Sequence, residues 1–96
     1  MRIEFISEAR EDFLDAIGYY ESMDQGLGLR LRDEVAFLLE TVSSAPLLWR
    51  ERKGGYRRVN SPISPYYIAY VIRDETIVII ALASNHRKPN YWHKRI

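Results

Sequence analysis

The chain has 96 residues, of which 47% are hydrophobic and 28% are charged, and it contains no cysteine. This composition predicts one globular domain over residues 1–96, and it excludes both a disulfide framework and a thiolate metal site. Because the sequence has neither a signal-peptide core nor an apolar run near the ~20 residues of a membrane span, we expect a cytoplasmic protein without membrane segments.

Charge is distributed unevenly along the chain, although the net charge is only +1. Residues 1–49 contain ten acidic and four basic residues, whereas residues 50–96 contain three acidic and ten basic residues. The two halves therefore carry net charges of −6 and +7. Such asymmetry indicates that the second half contacts something negative, either a nucleic acid or an acidic protein.

The first predicted elements are a short strand and a helix. Residues 2–6 alternate polar and apolar side chains, which is typical of a strand. Ser7 is the predicted N-cap of the following helix, in which apolar residues recur at helical spacing as far as Tyr20. Gly26 is the predicted left-handed cap that ends this helix.

A second apolar stripe predicts another helix, which ends before Pro46. The stripe consists of Leu31, Val35, Leu38, Leu39 and Val42. Because a short glycine-containing turn joins the two helices, they are predicted to form a helical hairpin. The "GLG" of this turn follows a helix and not a strand, so it is not interpreted as a phosphate-binding loop.

The second half of the chain predicts three strands. Residues 56–60 form the first, and the apolar segments 66–72 and 76–83 flank "RDE" as an antiparallel hairpin. The predicted fold is α+β, with the order β-α-α-β-β-β and the helical hairpin packed on one face of a small, mainly antiparallel sheet. The strand 76–83 is expected to be central because it is almost wholly apolar. The opposite face of the sheet is expected to be free, with the basic C-terminal residues at its rim.

Cations of the second half are candidates for a phosphate-binding surface. Arg57 and Arg58 are adjacent on a predicted strand, so their side chains are expected to point to opposite faces. Five further cations are candidates for the same surface: Arg50, Arg52, Lys53, Arg87 and Lys88. The alternative interpretation is that these side chains pair with the acidic residues of the helices.

The remaining histidines and aromatic residues have simpler interpretations. His86 and His93 match no metal-binding motif, and we predict no metal site. Trp49, Trp92 and most tyrosines are interpreted as core residues. Tyr91 lies in a polar stretch, where its hydroxyl is either functional or the end of an anchoring side chain.

Six segments of the chain form a recognisable series. In order they are "SEAREDFLDAIGYYE", "GLGLRLRDEV", "SSAPLLW", "YRRV", "SPYYIAYVI" and "IIALASNHRKPNYWHKR". Together they resemble the RelE/ParE superfamily of bacterial type II toxins, which includes proteins called plasmid stabilisation proteins. The resemblance implies a toxin that a cognate antitoxin neutralises, with an acidic or apolar C-terminal segment of the antitoxin wrapping this domain.

The resemblance implies one of two targets. RelE-like members are ribosome-dependent mRNA endonucleases, whereas ParE-like members poison DNA gyrase and lack nuclease machinery. RelE-like enzymes carry a catalytic arginine at the position that Tyr67 occupies here, so we expect a ParE-like toxin that inhibits gyrase or an unassigned target. The alternatives are an mRNA endonuclease of the RelE type and a degenerate member that retains only antitoxin binding.

The resemblance also implies candidate site residues. If the chain cleaves RNA, the catalytic residues are His86, Arg87 and Tyr91, because an imidazole is an acid or base near neutrality, a guanidinium holds phosphate charge and a phenol donates a proton. Such cleavage needs neither a metal nor a cofactor. The residues expected to bind phosphate or the target are Arg52, Lys53, Arg57, Arg58 and Lys88.

Overall fold

The helices and strands of the molecule follow the predicted order β-α-α-β-β-β, which is confirmed. The computed structural model describes the backbone of residues 1–96 and the side chains of all of them except residues 89 and 90. The elements are β1 (Arg2–Phe5), α1 (Ser7–Met23), α2 (Leu27–Ser44), β2 (Arg57–Asn60), β3 (Tyr66–Arg73) and β4 (Thr76–Ser84). A 3₁₀ helix, Pro89–Arg95, follows β4 and is hereafter the C-terminal segment. Within the described residues, no helix is long and apolar enough to cross a membrane.

The four strands pair in the order β1-β4-β3-β2. β1 runs parallel to β4, whereas the β4–β3 and β3–β2 pairs are antiparallel. β4 therefore lies inside the sheet, as its apolar sequence predicts. Asp74 and Glu75 form the two-residue turn between β3 and β4, and both have positive φ angles, 51° and 60°, as this kind of hairpin turn requires.

The helical hairpin packs on one face of the sheet and forms the first core. Its buried members are Ala9, Ala16, Leu31, Val35, Leu38, Val42, Val59, Ile68, Tyr70, Ile77, Ile79 and Leu82. Tyr70 is wholly buried, and its hydroxyl donates a hydrogen bond to the carbonyl oxygen of Pro46 at 2.7 Å. The polar end of this core residue is therefore satisfied.

The beginning of α1 differs from the prediction. Ser7 is the first helical residue and not the N-cap, and Ile6, which precedes it, forms no side-chain capping bond. The N–H of Arg10 already donates to the carbonyl of Ile6 at 3.1 Å, so the helix begins one residue early. The Ser7 hydroxyl donates to Glu8 at 3.1 Å.

The turn between the helices also differs in one respect. Gly26 is left-handed as predicted, with φ of 91°, but it is the N-cap of α2, while Asp24 is the C-cap of α1. The carboxylate of Glu21 accepts hydrogen bonds from the N–H groups of Gly26 and Gly28, both at 2.9 Å. A Cβ at Gly28 would lie 2.7 Å from the carbonyl oxygen of Ile17, so the close approach of the helices here requires glycine.

The face of the sheet opposite the helices is covered, so the prediction of a free face with the tail at its rim is wrong. The C-terminal segment folds back across this face. In β4, Ile80 is a bulge residue, because Ala69 pairs with Ala81 and Tyr70 with Ile79. The buried members of this second core are Tyr56, Tyr67, Ala69, Val71, Ile80, Ala81, Ala83 and Trp92. This face is covered because β3 and β4 carry apolar side chains on both of their faces, and removing both faces from water is favourable.

Candidate functional site

Trp92 anchors the C-terminal segment on the sheet. The indole is wholly buried, and its Nε1–H donates a hydrogen bond to the Tyr67 hydroxyl at 2.8 Å. The ring of Tyr56 lies edge-on to the indole, with the ring centres 4.8 Å apart. Because the indole N–H and the phenol oxygen satisfy each other, both can be buried without a polar penalty. This anchor fixes where the basic residues of the C-terminal segment lie.

A salt bridge between Arg95 and Asp12 ties the same segment to α1. Arg95 Nη1 lies 2.7 Å from Asp12 Oδ2, and both side chains are only 15% exposed. Arg95 also donates to the carbonyl of Ile80, and the N–H of Leu82 donates to Asp12, both at 3.2 Å. Since β1 pairs with β4 only as far as Ile79, these two bonds satisfy backbone groups of β4 beyond the end of β1.

The pKa values of this region follow from the same contacts. The hydrogen bond from Arg95 to Asp12 raises the pKa of the guanidinium, although desolvation opposes it. Burial raises the pKa of the Tyr91 phenol, and the Asp12 carboxylate raises it further, while Arg87 and Arg95 oppose the shift. Tyr91 is therefore protonated at neutral pH, and its hydroxyl is able to donate a hydrogen bond.

The structure brings together two of the three predicted catalytic residues. The guanidinium carbon of Arg87 lies 3.9 Å from the centre of the Tyr91 ring, which is the geometry of a cation–π contact. Both side chains line a pocket of about 190 Å³ whose walls also contain Asp12 and Asp15. His86 is exposed and does not belong to this lining. Of the three predicted catalytic residues, only Arg87 and Tyr91 therefore share this pocket.

Arg57 and Arg58 point to opposite faces of β2, as their adjacent positions on a strand require. Arg57 is 18% exposed, donates to the carbonyl of Trp49 at 2.9 Å, and lies 3.8 Å from the carboxylate of Glu51. The guanidinium carbon of Arg58 lies 3.6 Å from the centre of the Tyr67 ring. Both guanidinium ions are therefore already in contact with other residues of the protein, Arg57 with Trp49 and Arg58 with Tyr67.

The remaining predicted phosphate-binding residues are Arg52, Lys53 and Lys88. Lys88 is exposed at the start of the C-terminal segment. Arg52 and Lys53 line a separate open cavity together with Arg50 and His93. The lining of this cavity does not include Arg57, Arg58 or Lys88.

Sequence reasoning missed the pairing of Asp12 with Arg95. Asp12 lies three residues after Ala9 and four before Ala16, the two buried residues of α1, so it falls on the buried face of the helix. A carboxylate at such a position needs a partner, which is a signal that the sequence contains. The partner is 83 residues away and cannot be read from local spacing. Among the described residues, no group of three or more His, Asp or Glu side chains is arranged to hold a metal ion.

Comparison with known proteins identifies the family. Residues 3–89 match the family described as ParE toxin of type II toxin-antitoxin system, parDE. The chain belongs to the ParE toxin family. The structure is also similar to a chain of the chromosomal ParDE toxin–antitoxin system from P. aeruginosa, with a TM-score of 0.78 and 12% sequence identity over 88% of this chain and 95% of that chain. Among curated proteins, none matches the sequence.

Membership of the ParE toxin family confirms the expectation of a ParE-like toxin of a type II toxin–antitoxin system. The similarity to the ParDE chain confirms the α+β fold. The family match ends at residue 89, so Tyr91, Trp92 and Arg95 lie beyond it. Trp92 and Arg95, which hold the C-terminal segment on the sheet, are therefore outside the matched range.

Proposed function

We propose that this ParE family toxin acts by binding DNA gyrase and not by cleaving RNA. The observation that carries the proposal is the state of Tyr67, at the position where RelE-like nucleases are expected to have a catalytic arginine. Tyr67 is 1% exposed, and its hydroxyl accepts the hydrogen bond from the Trp92 indole. A core side chain thus occupies this position, and a substrate cannot reach it because it is buried.

The pocket beside Arg87 and Tyr91 is also a poor nuclease site. Metal-free RNA cleavage needs a base for the 2′-hydroxyl, cations for the phosphate and an acid for the leaving oxygen. His86 is outside the pocket lining, and Asp12 is already held in a salt bridge. Asp15 also places an exposed carboxylate in the walls, which repels a phosphodiester. Arginine and tyrosine are instead frequent hot-spot residues of protein–protein interfaces.

The gyrase target is tested with purified toxin in a supercoiling assay on relaxed plasmid. We expect loss of supercoiling, and DNA breaks in cells after the toxin is induced. The double variant Arg87→Ala/Tyr91→Ala should inhibit less, because it removes the proposed contact. Arg73→Ala is the matched control, because it removes one exposed positive charge at the opposite end of β3. Full supercoiling at a high excess of wild-type toxin would contradict the proposal.

The RNase alternative is decided by mapping mRNA 5′ ends on translating ribosomes after induction. We expect unchanged ends. If new ends appear with the wild-type toxin and disappear in His86→Ala/Arg87→Ala, the target is mRNA and not gyrase.

The other alternative is a degenerate member that only binds its antitoxin. Normal growth of cells that accumulate soluble toxin without antitoxin would indicate this alternative.

The partner that neutralises the toxin is a cognate antitoxin, whose C-terminal segment covers an apolar groove beside α2. The groove has a volume of about 690 Å³ and lies between α2 and residues 61–65. Phe37 and Ile63 line it and are 63% and 80% exposed, so two large apolar side chains face water in the free toxin. Arg30, Asp33 and Glu34 also line the groove, so it offers partners to both acidic and basic residues of the segment. A toxin with these partners acts in the cytoplasm.

The antitoxin groove is tested by calorimetric titration of the toxin with its antitoxin. Phe37→Glu/Ile63→Glu should weaken binding strongly, because it places two charges where apolar side chains are buried. Leu47→Glu/Leu48→Glu is the control, since these leucines are 69% and 72% exposed and do not line the groove. An equal loss of affinity in both variants would contradict the assignment of the groove.

A further inference from the structure

An open cavity beside the loop between α2 and β2 gathers positive charge. It has a volume of about 570 Å³, and its lining consists of Arg50, Arg52, Lys53, Gly54, Tyr56 and His93. Among the side chains that the structure describes, no carboxylate lies within 4.0 Å of any of these three cations. Glu51, the acidic residue of the loop, lies near Arg57 and is not in the lining.

Hydrogen bonds fix the backbone of the loop that carries these cations. The N–H of Arg52 donates to the carbonyl of Tyr56 at 2.7 Å, and the N–H of Gly55 donates to the carbonyl of Arg52 at 2.9 Å. Gly54 and Gly55 have φ angles of 100° and 83°, which glycine adopts without strain. Tyr56, below the loop, packs on the buried Trp92. The arrangement keeps like charges close together, which an anion in the cavity would offset.

Four other cations of the second half differ from these, because groups of the protein itself hold them. Arg57 donates to a backbone carbonyl, and Arg95 is in a salt bridge with Asp12. Arg58 and Arg87 lie over tyrosine rings. Of the six remaining cations of the second half, Arg50, Arg52 and Lys53 line this one cavity, whereas Arg73, Lys88 and Lys94 do not.

We infer that this cavity binds the phosphodiester backbone of a nucleic acid, with phosphate oxygens held by Arg50, Arg52 and Lys53. The lining is cationic and aromatic and contains no aliphatic side chain. A peptide that buries apolar residues finds no complement there, whereas a phosphodiester needs only the charges. The exposed ring of His93, which packs against Trp92 with the ring centres 4.3 Å apart, offers a face on which a base can stack. The site goes beyond the proposed gyrase target and does not depend on it.

The experiment measures fluorescence anisotropy of labelled nucleic acid with purified, antitoxin-free toxin. The probes are a short duplex DNA and a single-stranded RNA of equal length. We expect the affinity to fall with salt, with a log–log slope of about −2 to −3 for three phosphate contacts. Arg50→Ala/Arg52→Ala/Lys53→Ala should weaken binding by at least about tenfold. Whichever probe the wild type binds more tightly identifies the source of the phosphodiester.

The matched control is Arg2→Ala/Arg10→Ala/Arg32→Ala, which removes the same charge from β1 and the two helices. It should change the affinity by less than about twofold if the contacts are local. Urea unfolding of both triple variants establishes that each is folded. An equal loss in the two variants would overturn the site, as would failure of both nucleic acids to bind while a polyglutamate peptide does. Gyrase is absent from the assay, so the outcome is separate from that of the supercoiling test.

Discussion

The two faces of the sheet are both closed, but by different kinds of contact. The helical hairpin covers one face with aliphatic side chains that recur at regular spacing along α1 and α2. The C-terminal segment covers the other with one buried indole, its hydrogen bond to Tyr67, and the Asp12–Arg95 salt bridge. The comparison shows that a basic, aromatic tail can be a core element whose polar groups are specifically paired. Its charge composition alone suggests a free binding surface.

The largest expected effect is that of Trp92→Ala. Deleting a fully buried tryptophan typically costs about 3–5 kcal/mol, so the free energy of unfolding in urea should fall by that amount. Ile77→Val, in the first core, is the comparison and should cost about 0.5–1.5 kcal/mol. A loss for Trp92→Ala that is no larger than the loss for Ile77→Val would mean that the second face is not a core.

Asp12→Asn should have the next largest effect. It leaves Arg95 without its counter-ion. Removing one partner of a buried pair costs about 3–5 kcal/mol, which the 15% exposure of these side chains reduces to about 2–4 kcal/mol. Asp15→Asn, on the exposed side of the same helix, should change stability by less than about 0.5 kcal/mol. Equal effects of the two substitutions in urea unfolding would show that the salt bridge does not hold the segment.

The first core should be sensitive to alkaline pH through Tyr70. Burial raises the pKa of this phenol, with Arg57 opposing the shift. Because the folded pKa exceeds the unfolded value, the stabilisation is complete below about pH 10 and is lost as the pH rises through the folded pKa. Tyr70→Phe should cost about 1 kcal/mol at neutral pH, through loss of the bond to Pro46, and should make the alkaline decline less steep. An unchanged decline would contradict this assignment.

The smallest effect is expected in the hairpin turn that both faces share. Glu75 has φ of 60°, which a glycine adopts more readily. Glu75→Gly should therefore stabilise the protein by up to about 1 kcal/mol, measured as a shift of the urea midpoint, because relief of left-handed strain of about 1–2 kcal/mol exceeds the entropy cost of glycine of about 0.5–1 kcal/mol. Glu75→Ala removes the same carboxylate without relieving the backbone, and a gain equal to that of Glu75→Gly would exclude the backbone explanation.

Most of the fold could be predicted because its signals are local and periodic. The stripe from Leu31 to Val42 and the apolar strand 76–83 each indicate one element and its buried side. Two predictions at helix ends were wrong. Ser7 is the residue after the N-cap and not the N-cap itself, and Gly26 caps the second helix rather than the first. Local pattern does not determine which of two adjacent residues makes the first helical bond.

The candidate site was less predictable because its contacts join distant parts of the chain. The approach of Arg87 to Tyr91 follows from a short segment, but the pairing of Asp12 with Arg95 spans 83 residues. The contacts of Arg87 and Arg95 depend on how the C-terminal segment folds over the sheet. Counting charges along the sequence identified the cations, but it did not show which of them contact carboxylates, carbonyls or aromatic rings of the protein itself.

That the C-terminal segment is a core element is tested most directly by hydrogen exchange of the Trp92 indole N–H, followed by NMR. This group is wholly buried and bonded to Tyr67, so we predict that it exchanges only on global unfolding, with the same free energy as the backbone amide of Ile77 in the first core. Exchange of the indole N–H at a much lower free energy, while the Ile77 amide remains protected, would show that the segment detaches from the folded domain and would contradict the closed second face.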